Sequence, residues 1–161
     1  MISPVSSHRF LPCLMTRLTD ESPHIKKDPD YAQMFSLNHL KKDVMSNLVM
    51  LLNSHSKIPD STFYPYPESR TSVLNFGLPS FTGRYDLNTN SEKIRQTIHE
   101  AIILYEPRFE PTSVQVSLLS KNKQIGLLNI SIQALLRVDT ITEDMFFNLN
   151  VDLDSGFFSL E

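Results

Sequence analysis

The stretch "LYEPRFEPTSVQVSLLS" (residues 104–120) changes its hydrophobic period across two prolines. Upstream, Ile94, Ile98, Ala101, Ile102 and Tyr105 recur at three- and four-residue steps, the pattern of one helix face from about Ser91 to Tyr105. Thr89 and Glu92 stand in capping-box spacing at its start. Downstream, Val114, Val116 and Leu118 alternate with polar residues, as in a strand that buries one side. Pro107 separates the two regimes, because it has no N–H to continue the helix. It also disfavours the α conformation at Glu106, which is expected on extended backbone. Residues two apart on extended chain project to one side, so Glu106 and Arg108 should stand together. A carboxylate beside a planar five-donor fork suits bidentate contacts, either to a partner's polar groups or within its own domain, locking the helix end to the sheet.

The same two periods organise the rest of the chain. In "SLNHLKKDVMSNLVMLLN" (36–53), Leu37, Leu40, Val44, Leu48, Leu51 and Leu52 form the apolar stripe of a helix that Ser36 can cap. Residues 1–34 hold a short apolar cluster (Phe10, Leu11, Leu14, Met15, Leu18), then a polar stretch broken by Pro23 and Pro29, and read as an N-terminal docking segment and loop. Residues 54–70 are rich in Pro, Ser and aromatics, as in an ordered loop, and 71–83 predict a brief strand or 3₁₀ turn ending at Gly77. After a turn at 121–123, Leu128, Ile130, Ile132, Ala134 and Leu136 share one strand face. Met145, Phe147, Leu149, Val151 and Leu153 share another, and "DSG" (154–156) leads to a last strand, "FFSL". The expected architecture is α+β over residues 35–161, with helices first, packed on one face of a mostly antiparallel sheet.

With 161 residues and 40% hydrophobic composition, one domain is the natural expectation. A formal charge of −3 supplies no basic excess for nucleic acid. Cys13 is the single cysteine, no apolar run reaches the roughly 18 residues of a membrane span, and the segment around Phe10 to Leu14 is too short and broken for a secretory leader, so a cytoplasmic location is expected. The five histidines (His8, His24, His39, His55, His99) lack the i,i+4 or Cys-partnered spacing of a metal site, and Cys13 lacks a nucleophile's sequence context. The four glycines are too scattered to cradle a phosphate, so no cofactor is expected. Two carboxylates across a cleft suffice for glycoside hydrolysis, and Glu100, Glu106 and Glu110 can be nominated for it, although exposed glutamates are common.

Several segments together resemble the TssE family of type VI secretion baseplate wedge proteins, part of the "lysozyme-like" wedge family of contractile phage tails. They are "LMTRLTDESP" (14–23), "LKKDVMSNLVMLLNS" (40–54), "RTSVLNFGLPSFTG" (70–83), "IHEAIILYEPRFEP" (98–111), "GLLNISIQALL" (126–136) and "FNLNVDLDSGFF" (147–158). Glu106-Pro107-Arg108 matches that family's EPR signature. The chain departs from the family at His55, where an Arg is usual, and at Ser80, where an acid is usual, so no contact is carried over to those two positions. The resemblance implies a non-enzymatic cytoplasmic component at the inner-membrane-docked baseplate, with a fold like the conserved domain of the contractile sheath. Its implied partners are TssF and TssG, with TssK in the same complex, and the sheath proteins TssB and TssC, whose first ring would polymerise on an exposed sheet edge. Glu106, Pro107 and Arg108 would be the partner-binding residues. The family label also invites a rival reading, a muramidase acting on peptidoglycan.

Overall fold

The computed structural model describes residues 10–19, 23–24, 26, 36–56, 65–79, 87–119, 127–138, 141–152 and 155–160, those of 87–91 by backbone alone. His8, Pro29, Ser80, the expected turn at 121–123 and Leu153 lie outside them. The elements are helices α1 (Leu14–Leu18), α2 (Leu37–Asn53) and α3 (Leu87–Tyr105), and strands β1 (Gln115–Leu119), β2 (Leu127–Val138), β3 (Ile141–Asp152) and β4 (Phe158–Leu160). Short 3₁₀ turns occupy Pro67–Thr71, Val73–Asn75 and Pro111–Ser113. The fold is α+β, and the four strands form one antiparallel sheet in the order β1-β2-β3-β4. The chain divides into two compact units, Met1–Asn47 and Leu48–Glu161, with the division inside α2.

In the first unit, α1 is tied to α2 by a carboxylate that the sequence pattern had left on a polar face. Asp43 is buried, and it accepts the Cys13 N–H (3.2 Å) and the Thr16 hydroxyl (2.6 Å). Leu11, Leu14, Met15 and Leu18 remain exposed, while Phe10 is buried. Ser36 caps α2 through its side chain, with the His39 N–H 3.5 Å from Oγ. The expected apolar stripe is buried at Leu40 and Val44, and at Leu48, Leu51 and Leu52 in the second unit.

The second unit carries the sheet. Val114, Val116, Ile130, Ile132, Ala134, Leu136, Met145, Phe147, Leu149 and Val151 are buried, as the alternation predicts. β2 and β3 pair from Leu127↔Asp152 to Val138↔Ile141, so both run beyond their periodic cores. β-branched Val138, Ile141 and Thr142 favour that extension. α3 packs against β1, with Ile94, Ile98, Ala101 and Ile102 buried. It begins at Leu87, not Ser91, so Thr89 lies inside the helix and is no cap. Glu92 is engaged by Arg95 one turn on, which donates to both its carboxylate oxygens.

Two further junctions tie the segments around the end of α2. Gly77 has φ +111°, and a Cβ there would stand 2.6 Å from the Ser54 carbonyl carbon, so only glycine fits. The close approach lets Leu78 donate to the Ser54 carbonyl (2.8 Å) and accept from Ser56 (3.1 Å), forming a parallel bridge between His55 and Leu78. At β4, the Asn53 amide donates to the Phe158 carbonyl (2.9 Å) and accepts the Phe158 N–H (2.8 Å). Phe158 pairs with Val151, and Asp152 bonds the Phe157 carbonyl, so Phe158 turns its own polar groups away from β3 toward Asn53.

Candidate functional site

The sequence-predicted residues lie where α3 ends. The last helical bond runs from the Glu106 N–H to the Ile102 carbonyl (2.9 Å), and the Phe109 N–H then bonds the Glu106 carbonyl (3.2 Å). Glu106-Pro107-Arg108-Phe109 is therefore a β-turn with proline at its second position, the place its fixed φ favours. The turn at Pro107 and Arg108 replaces the expected extended run between the two charges. The two charges do meet, but the turn brings them together, not the alternation of a strand.

Their contact is internal and nearly saturated on the acid side. Arg108 Nε donates to Glu106 Oε1 (2.6 Å), Nη2 donates to Oε2 (2.7 Å), and the Arg108 N–H reaches Oε1 (3.3 Å). The Glu106 side chain is 5% exposed and that of Arg108 is 22% exposed. A fork-to-fork pair of this kind fixes both side chains and satisfies a buried charge. Pro107 is exposed beside it. The three residues thus form one rigid corner with a buried acid, a half-buried base and a solvent-facing ring.

Main-chain bonds then stitch the corner to the end of β2. Arg137 donates to the Arg108 carbonyl (2.8 Å), and Glu110 donates to the Leu135 carbonyl (2.9 Å), around an antiparallel bridge between Phe109 and Leu136. The turn at Pro111–Ser113 then inserts residues before β1 takes up its register, Gln115↔Gln133. Ser113 compensates for that excursion, since its Oγ accepts the Leu135 N–H (2.9 Å). Phe109 enters the core beside Phe147, with ring centroids 6.1 Å apart. A second ion pair, Arg137 Nη1 to Glu110 Oε2 (2.6 Å), lies over the same junction, with side chains 66% and 29% exposed. In the sequence Glu110 stands out only as one of several acids, and Arg137 not at all. They are 27 residues apart, and no local pattern links them.

The helix face behind the corner is held by Tyr105. Its hydroxyl donates to the Ser72 carbonyl (3.1 Å), and its ring meets Phe76 edge-on at 5.1 Å. Burial pushes the Tyr105 phenol above its ordinary pKa. Among the described residues, no three His, Cys, Asp or Glu side chains gather to hold a metal, and no helix is long and apolar enough to cross a membrane. Among the described residues every buried side-chain nitrogen and oxygen has a hydrogen-bond partner.

A family model described as baseplate wedge protein gp25 matches residues 38–140. The match runs from α2 past the end of β2 and includes the whole Glu106–Arg137 corner. No curated protein matches the chain.

Proposed function

The chain belongs to the baseplate wedge protein gp25 family, and from that membership we propose that it is a TssE-type wedge component of a type VI secretion baseplate. It joins TssF and TssG subunits, in a complex with TssK, at a baseplate docked on the inner membrane from the cytoplasm. It performs no catalysis. Glu106, Pro107 and Arg108 anchor it to those partners. The observation that carries this reading is the family match across the corner, whose acid, base and proline are held rigid before any partner arrives.

The sheath role is assigned to a strand edge. β1 and β4 are the outer strands of the described sheet. Phe158 on β4 already has its outward groups bonded by Asn53, which leaves little of that short edge for another chain. Leu135 turns both its main-chain groups toward the β1 side. By alternation, Gln115 and Ser117 face β2, while Val116 and Leu118 direct theirs outward. We assign the added strand of the first TssB–TssC ring to β1, the full-length outer strand, in preference to the stretch of β3 that β4 does not pair with.

Co-expression with TssF and TssG tests the proposal. The wild-type chain is expected to co-purify with both and to support TssB–TssC sheath assembly in cells, and Arg108→Ala to lose both. Full assembly by Glu106→Ala/Arg108→Ala would remove the anchor role. Purified chain should leave peptidoglycan intact; hydrolysis that disappears with Glu100, Glu106 or Glu110 would establish the muramidase instead.

A further inference from the structure

We infer that Arg137, oriented by Glu110, is a second anchoring side chain of the same corner and binds a carboxylate on the wedge partner; this rests on the docking role proposed above. The two ion pairs of the corner differ in what they leave outside. Glu106 and Arg108 are spent mostly on each other and on the fold, at 5% and 22% exposure. Arg137 stands 66% exposed and engages Glu110 through Nη1, one part of a five-donor fork. An exposed ion pair adds little to fold stability. What it does is narrow the rotamers of a long side chain, which lowers the ordering cost when a ligand arrives.

Arg137 also has a fixed base. Its N–H is bonded to the Arg108 carbonyl, and Glu110 is bonded to the neighbouring Leu135 carbonyl, so the backbones that carry the two pairs are joined. The two arginines and two glutamates balance in charge, and long-range attraction is therefore a poor basis for selecting a partner. The planar fork is the better one, since guanidinium and carboxylate match through two parallel bonds that a lysine cannot reproduce. Arginines so placed are frequent hot spots of interfaces.

The test is affinity of the full chain for the co-expressed wedge subunits, read beside the melting temperature of the free chain. Arg137→Ala is expected to weaken binding about tenfold or more with no change in melting temperature. Arg137→Lys should not restore it, and Glu110→Gln should weaken it less. Amidating the partner's carboxylates with a carbodiimide and glycinamide should erase the difference between wild type and Arg137→Ala. Wild-type binding by Arg137→Ala, with binding lost in Arg108→Ala, would overturn this inference and leave the docking role standing. Wild-type binding by both variants would overturn the docking role itself. A melting temperature lowered in Arg137→Ala as far as in Arg108→Ala would make Arg137 structural and overturn the inference.

Discussion

The side-chain amide of Asn53, in the last turn of α2, bonds both main-chain groups of Phe158 on β4, at 2.9 and 2.8 Å. It replaces a fifth strand at that point of the sheet. Asn53→Ala is expected to destabilise the fold by about 1–3 kcal/mol, because a part-buried N–H and C=O lose their partners together. Urea denaturation measures this. Unchanged stability would mean that water substitutes freely and that the β4 edge is open.

Glu106 and Arg108 should behave asymmetrically when cut apart. Arg108→Ala leaves a buried carboxylate uncompensated, whereas Glu106→Ala leaves a guanidinium that is already one-fifth exposed and can hydrate. Arg108→Ala should therefore cost about 2–4 kcal/mol and Glu106→Ala less, both below the figure for a fully buried pair. Thermal and chemical denaturation of the free chain check the order. Equal, negligible costs would show that the pair does not hold the corner.

Gly77→Ala is expected to destabilise by about 2–4 kcal/mol, from positive φ together with collision against the Ser54 main chain. Gly77→Asn should be no better. Asparagine tolerates some left-handed backbone, but its Cβ meets the same carbonyl. If Asn restores most of the stability, backbone conformation alone governs the position.

Tyr105 gives the fold an alkaline limit. Its pKa is raised by burial, so its contribution is fully present below the unfolded phenol's value, about 10, and is lost as pH rises through the higher folded value. Tyr105→Phe removes that loss and gives up the bond to the Ser72 carbonyl, at a neutral-pH cost of about 0.5–1.5 kcal/mol. Denaturation curves between pH 7 and 11 should show wild type falling more steeply than the variant. Parallel curves would place the phenol in water.

Legibility followed the range of the interactions. The alternation in β2 and β3, the apolar stripe of α2 and the helix stop at Pro107 depend on neighbours within a few residues, and the sequence displays them directly. The start of α3 was not legible, because the Thr89–Glu92 spacing that reads as a capping box lies inside the helix, which begins at Leu87. Asp43 looked like part of a solvated face until α1 placed Cys13 and Thr16 against it. Nothing near Glu110 in the chain points to Arg137.

The sequence by itself determined the α+β class, the switch from helix to sheet at Pro107, the family resemblance and the presence of a Glu-Pro-Arg corner. Those follow from backbone chemistry and side-chain period, which act locally. Only the tertiary structure decided that Glu106 is sealed against Arg108 inside a β-turn, that Asn53 bonds Phe158 on β4, and that Arg137 stands beside the corner. Each of these joins groups through burial or through hydrogen bonds between separate elements. The partners of Asn53 and Arg137 lie far along the chain and are brought to them by the strand pairing, of which the order of residues carries no local trace.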